Sequence, residues 1–314
     1  MSSNSIPSKV TFAEVTEDQL HQRLDNFLMV RLKGVPKSAI YRMIRRGEVR
    51  VNKGRSKPEY KLKVGDLVRI PPAKTRNTEA PSAISDSLHR LLQAAVIHED
   101  DALIVVNKPS GLAVHGGSGI SLGVIEAFRV MRPELRFLEL VHRLDRDTSG
   151  CLMIAKKRSR LKQLHQDLKQ GRVEKTYQAL LHGRWKGREH RVEAPLKKFH
   201  LASGERIVRV STEGKDSLTL FKQIRLFEKA TLVEAKPVTG RTHQIRVHAQ
   251  HVGHAIAGDD KYLPREQNQH FLDHGLKRLF LHAARLNILD QNGKPQRFEA
   301  SLPEELQSVL ASLP

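Results

Sequence analysis

Short apolar runs punctuate the chain from about Leu88 to Pro314: ALIVVN (102–107), GCLMIA (150–155), KTYQALL (175–181), RIVRVS (206–211), LTLFKQI (218–224) and TLVEAK (231–236). Runs of this length, rich in β-branched residues and bounded by turn residues, fit strands and are too short for globular helices. None is long enough to span a bilayer. A different period separates them in places. In SRLKQLHQDLKQG (159–171), Leu161, Leu164 and Leu168 fall on one helical face. Strands interleaved with a few amphipathic helices predict an α+β domain, built on an extended, mostly antiparallel β-sheet with flanking helices. The 314 residues hold one such domain and a smaller one, and no internal repeat is evident.

The smaller region is set apart by charge. The chain carries a formal +20, and residues 31–76 contain fifteen Lys and Arg against three Asp and Glu, an excess of twelve. SAIYRMIRRG (38–47) reads as a short helix with Ser38 able to cap it, Ile40, Met43 and Ile44 on one face, and Gly47 able to end it. EVRVN (48–52) and DLVRIPP (66–72) read as strands. A merely solvated charged face would have to tolerate that self-repulsion without a partner, so a polyanion is expected. Nucleic acid fits better than a membrane. MSSNSIPSK at the start has no apolar core of a signal peptide, and the lone Cys151 forms no intramolecular disulfide, which suits the cytoplasm. Cys151 itself reads as a small buried hydrophobe. AKTRNTEAPSAISDS (73–87) has no apolar period and reads as a linker. The expected organisation is a flexible N-terminus over 1–20, a basic module over 21–75, a linker over 76–90 and the large domain over 91–314.

QRLDNFL…GVPKSAIYRMIRRGEVRVNKGRSKPEYKLKVGDLVRIPP (22–72) resembles an S4 domain, a small RNA-binding module. The resemblance implies that Lys37, Arg42, Arg45, Arg46, Arg50 and Lys53 face RNA phosphate. It implies no chemistry.

Several chemistries lack their motif in the large domain. GLAVHGGSG (111–119) is glycine-rich but has no phosphate-meeting lysine, and no G-x-G-x-x-G follows a strand, so no nucleotide cofactor is expected. HQIRVHAQHVGH offers His243, His248, His251 and His254, yet Arg241 and Arg246 sit among them and would repel a cation; no metal is expected. What remains is HRLDRDTSG (142–150), which follows the apolar LELV and precedes GCLMIA. Asp145 therefore lies in a loop joining two strands. Opposite charge favours the ionised carboxylate, which is a poor general acid but a competent nucleophile or proton acceptor. From this motif alone, a structural Asp–Arg pair is as good a reading.

HRLDRDTSG, EDDALIVVNKPSGLAVHGG (99–117), EKTYQALL (174–181), PVTGRTHQIRVH (237–248), GDDKY (258–262) and RLFLHA (278–283) together resemble the RluA family of pseudouridine synthases, in order over nearly all of 98–290. The resemblance implies that Asp145 is the catalytic nucleophile and Asp147 a variable position. It implies that Tyr177 lies against the target base, that Arg246 pairs with Asp145 with Ile245 beside it in support, and that Arg143 lies in the segment supporting a flipped nucleotide. Uridine isomerisation has no redox change and imports no group, which agrees with the missing cofactor motifs. The target uridine would have to leave its stack. The expected partner is large-subunit ribosomal RNA or its precursor particle, met by a monomer. A pseudouridine synthase acting on tRNA and a non-catalytic S4-type rRNA-binding assembly factor are the competing readings.

Overall fold

The computed structural model describes residues 9–32, 34–73, 84–116, 122–200 and 206–314. Residues 1–8 of the expected flexible N-terminus, 76–83 of the expected linker and 117–119 of the glycine-rich stretch lie outside them. The chain forms two compact units, 1–80 and 81–314. Among the described residues no helix is long and apolar enough to cross a membrane.

The first unit contains strand β1 (Thr11–Glu14), helices α1 (Leu24–Arg31) and α2 (Lys37–Arg45), and strands β2 (Arg50–Val51) and β3 (Leu67–Ile70). The strands form a small antiparallel sheet in the order β1, β3, β2. Ile40, Met43 and Ile44 of α2 pack with Leu24, Phe27 and Leu28 of α1 over Val51, Val68 and Ile70 of that sheet. Two sequence expectations are corrected here. Residues 11–20 are not all a loose tail, because Ala13 and Val15 join this core and β1 pairs with β3. Pro36, not Ser38, occupies the N-cap of α2, since the fixed proline φ suits the helix entry and draws Lys37 and Ser38 into the first turn. Gly47 follows the helix end in the left-handed region, as expected.

The second unit opens with helix α3 (Asp86–Ala94), which starts inside the 76–90 segment expected as linker and runs beyond it. Ser85 caps it by accepting the Leu88 N–H, and the fully buried Leu92 anchors it to the large core. Its small and polar start hides that anchor from a periodicity argument. Strands β4 (Val96–Glu99) and β5 (Leu103–Lys108), helix α4 (Val124–Met131), strands β6 (Glu139–Leu140) and β7 (Ser149–Ala155), and helix α5 (Arg158–Lys169) follow. Then come β8 (Glu174–His182), β9 (Glu189–Glu193), β10 (Leu196–His200), β11 (Arg206–Val210), β12 (Leu218–Leu226) and β13 (Ala230–Pro237). Helices α6 (Gln244–His251) and α7 (Arg265–Asp273), strands β14 (Leu281–Leu289) and β15 (Pro295–Glu299), and helix α8 (Glu304–Ser312) complete the unit. All six apolar runs named from sequence coincide with strands, save for Ala102 and Ser211 at the ends of two of them.

The main sheet runs β4-β5-β7-β14-β8-β13-β12-β9, with β15 beside β14 and β6 beside β7. Its pairings are antiparallel except β7 with β14. This is the expected extended, mostly antiparallel sheet with flanking helices. Strand β7 explains why it is layered. Leu152 and Ile154 enter one core with α3 and α4, while Cys151, Met153 and Ala155 enter a second with Leu164 of α5. Burial on both faces makes β7 a continuous apolar run, and it raises the Cys151 thiol to about 12, so the residue stays a thiol. At Gly150 the strand passes so close to β14 that a Cβ would lie 2.3 Å from the Ala283 carbonyl oxygen, and φ is +110°. Only glycine allows that crossing.

Candidate active site

The loop from His142 to Thr148 is pinned from several sides. His142 Nε2 accepts the Met153 N–H at 3.2 Å, and burial lowers the ring's pKa to about 3, so it stays a neutral acceptor. Lys108, fully buried at the end of β5, donates its three ammonium protons to the carbonyls of Pro109, Leu112 and Arg146 at 2.7–2.9 Å. The Gly111 N–H reaches the same Arg146 carbonyl, and the Thr148 N–H closes a turn on the Asp145 carbonyl. Behind the loop, Ser149 Oγ accepts from Arg278 and meets His282 Nδ1 at 2.9 Å, while His282 Nε2 donates to the Ala300 carbonyl. Burial brings His282 down to about 4, so its Nδ1 is a neutral acceptor for the serine proton.

Held this way, Asp145 and Asp147 diverge. Asp147 lies outside, its carboxylate on the exposed Arg146 guanidinium at 3.0 Å. Asp145 borders a cleft of about 720 Å³ and meets α6 across it. Arg246 of α6 donates Nη1 to Asp145 Oδ2 at 3.2 Å and grips Asp259 with Nε and Nη2 at 2.7 and 2.8 Å. Asp259 is buried and also accepts the Lys261 and Tyr262 N–H groups, so it is a fixed anchor for the guanidinium. Burial opposes the charge on Arg246, but Asp259 and Asp145 more than offset it and hold the pKa above the ordinary arginine value. The Tyr262 ring lies under the guanidinium at 5.1 Å.

His243 caps α6 with φ +53°, a left-handed backbone that a non-glycine residue adopts at a cost. That turn aims its ring between Tyr262, whose hydroxyl meets Nδ1 at 2.8 Å, and Asp145, whose Oδ2 lies 3.8 Å from Nε2. Tyr262 already accepts the Val208 N–H, so its own proton is available for Nδ1, which leaves the ring N–H on Nε2, toward Asp145. Burial lowers the His243 pKa and favours that neutral ring. Both groups act on Oδ2. Asp145 Oδ1 has no hydrogen bond among the described residues, in a side chain one quarter exposed to the cleft.

Tyr177 of β8 lines the same cleft, buried in the apolar core, with its phenol raised well above the usual value by burial and by the Asp145 charge. Ile245 and Leu144 line the same space, and Arg143 stands exposed at its margin. Asp145, Tyr177, Ile245, Arg246 and Arg143 are thus brought together at one cleft. The four histidines do not converge. His248 is buried between Thr219 and the Ala194 carbonyl, His254 stacks on Trp185, and His251 is exposed. Among the described residues no group of three or more His, Cys, Asp or Glu is arranged to hold a metal ion.

Residues 102–251 match the RNA pseudouridylate synthase family, and residues 22–68 match the S4 domain. The chain is 54% identical over 312 residues to the ribosomal large subunit pseudouridine synthase C of Haemophilus influenzae, covering 98% of this chain and 96% of that one. It is 55% identical to the Yersinia pestis protein of that name (97% and 96% covered) and 54% identical to that of Escherichia coli K12 (97% of both). The chain belongs to the RNA pseudouridylate synthase family. Among solved structures, human RNA pseudouridylate synthase domain containing 4 superposes with a TM-score of 0.61 at 25% identity, over 72% of this chain and 95% of that one. The enzyme is therefore an RNA pseudouridine synthase with an S4 domain. Asp259, His243, Tyr262 and Lys108 belong to this site although the motif reading gave them no place in it. A signal was present for Asp259 in GDDKY, since a carboxylate beside a glycine turn must find a cation when buried.

In the S4 unit, Lys37, Arg42, Arg45, Arg46, Arg50 and Lys53 are all exposed. Lys37 lies over the Tyr41 ring, and Arg50 is braced by the Gly47 and Lys53 carbonyls.

Proposed function

We propose that this synthase isomerises uridine to pseudouridine in large-subunit (23S) ribosomal RNA, with Asp145 as nucleophile on a uridine flipped into the cleft. The observation that carries this reading is the unshared Asp145 Oδ1 in a cleft whose other walls are Tyr177 and the anchored Arg246. A stacked base cannot reach a carboxylate at that depth, and Tyr177 offers a face for the extruded uracil. As the N1–C1′ bond breaks, Asp145 acts on the ribose at C1′ or C2′. The uracil then turns, C5 bonds to C1′ and releases Asp145 where the carboxylate had bonded there, the C5 proton leaves and N1 takes one up, so atoms balance with no cofactor. Arg246 orients the carboxylate through the Nη1 hydrogen bond. The relatives bearing the large-subunit name support the RNA class. The exposed cations of α2, with Arg50 and Lys53, are assigned to RNA phosphate, and the enzyme to a monomer working in the cytoplasm on rRNA or its precursor particle.

The test is to map pseudouridines by carbodiimide-stopped primer extension across all stable RNAs of a strain lacking the gene, with wild-type and Asp145→Asn complementation. Sites missing from 23S rRNA and restored only by the wild type are expected. Loss confined to tRNA would overturn the substrate assignment, and restoration by Asp145→Asn would overturn the role of the aspartate.

A further inference from the structure

The cleft carries a cation for which the isomerisation chemistry gives no use. Of the lysines and arginines along its walls, Arg246 and Lys236 have carboxylate partners, and Arg241 donates to the Asp216 carbonyl. Arg143 and Lys169 stand exposed in solvent. Lys175 is different. It is half-buried on β8 and has neither an ion pair nor a hydrogen bond among the described residues. Burial alone lowers its pKa, and no carboxylate, Asp145 included, offsets that burial. Two residues from Tyr177, it projects from the same face of the strand. Its Nζ lies beside Gly240, 3.6 Å from where a side chain there would begin, and its charge bears on His142.

An unpaired cation taken out of water costs folding free energy, and a methionine of similar length would cost less. A lysine in such a place is explained by an anion that arrives from outside. With its Nζ beside Gly240, in the turn between β13 and α6, the ammonium faces what borders the target nucleotide. The charge that RNA carries beside each nucleotide is a phosphodiester.

We propose that Lys175 is a phosphate-binding residue of the cleft, its ammonium taking a phosphodiester oxygen of the strand that carries the flipped uridine. The proposal rests on the reading that RNA uridine enters this cleft, and it adds the group that holds the strand while the base is out.

Full-length wild type, Lys175→Met and Lys175→Arg are to be compared by thermal melting, by filter binding to 23S rRNA across a salt series, and by single-turnover tritium release from the same RNA carrying 5-tritiated uridine. For Lys175→Met the expected result is a melting temperature equal to or above wild type, about tenfold weaker binding at low salt, and a salt slope shallower by about 0.7, the value for one phosphate on a single strand. The loss should fall on Kd and kcat/KM more than on the saturated rate, and Lys175→Arg should restore the slope. Unchanged affinity and slope would overturn the proposal. So would a loss of saturated rate at unchanged Kd, which would put the cation on the reacting base, or a fall in melting temperature, which would make it structural. Absence of tritium release by the wild type would count against the rRNA reading instead, whereas the lysine is judged from the difference in slopes between variants.

Discussion

Arg-Leu-Asp occurs twice in this chain, at 23–25 and at 143–145, and the two aspartates have opposite fates. In the S4 unit Asp25 is buried at the start of α1 with both oxygens engaged. Oδ1 accepts from Arg23 Nε and the Asn26 N–H, and Oδ2 accepts from Arg23 Nη2 and the Tyr41 hydroxyl. The Arg23 hydrogen bond leads in lowering its pKa to about 2. In the catalytic unit the neighbouring Arg143 makes no such pair among the described residues. Asp145 instead receives Arg246 from a helix 101 residues further on, through one oxygen, and among the described residues keeps the other unshared. A saturated carboxylate is a rivet; one with an unshared oxygen facing a cleft is available for chemistry. The tripeptide does not decide between them, and the partners that tertiary structure supplies do.

Exchanging the two aspartates' chemistry should separate these roles most sharply. Asp145→Asn should preserve melting and RNA binding while single-turnover tritium release falls by a factor on the order of 10⁴ or more, the scale for removing a nucleophile. Asp25→Asn should do the reverse, lowering the stability of the S4 unit by about 2 kcal/mol through a broken buried pair. Limited proteolysis of the full chain should report this, with the saturated rate retained. Equal losses of chemistry from both would erase the contrast. Arg246→Ala should reduce the saturated rate by about 100-fold, because Asp145 loses its orienting donor and Asp259 is left buried without a cation; wild-type rates would show that Arg246 is not the positioning partner.

Acid should also tell the units apart. His142 and His282 have folded values of about 3 and about 4 against an ordinary 6.5, so the unfolded state binds more protons between those limits. The stability they contribute is complete above pH 6.5 and is lost as pH falls toward 4. Asp25, at about 2 against 3.8, gives up its contribution only below about pH 4. Calorimetry of the full chain between pH 7 and 4 should show the catalytic transition moving down first. A simultaneous shift of both transitions would contradict these assignments. The smallest effect belongs to Asp147→Asn, expected to keep activity within about twofold, because among the described residues its carboxylate pairs only with the exposed Arg146. A loss comparable to that of Asp145→Asn would undo the distinction within the loop.

The strands were legible where burial imposes a simple pattern. β7, covered on both faces, and β13 read directly from their apolar runs, and α5 from its leucine spacing. Helix α6 was not legible as a helix, because six successive residues, Gln244 to Ala249, are buried and leave no polar face to mark a period. Gln244, Arg246 and His248 are tolerated there because each finds hydrogen-bond partners. The start of α3 was mistaken for linker because a serine cap and a single buried leucine, Leu92, secure it. At the site, charge context marks Asp145 only as a carboxylate among arginines, and both its role and its partner Arg246 come from family resemblance. Asp259 was not singled out from Asp260, since only the left-handed turn at Gly258, packed on the Arg278 carbonyl, decides which carboxylate turns inward.

Strand β14 has a consequence for the order in which the enzyme becomes an enzyme. It lies between β7 and β8 and hydrogen-bonds to both, yet it is made long after either. A nascent polypeptide that has not reached Leu281 holds one set of strands ending at β7, which leads out of the Asp145 loop, and another beginning at β8, which carries Tyr177, with nothing to join their facing edges. Such distant pairing is slow to establish, and unjoined edges are where chains associate wrongly. The two walls of the cleft are therefore synthesised long before they are brought into register, and catalytic competence waits until Leu281–Leu289 has been made.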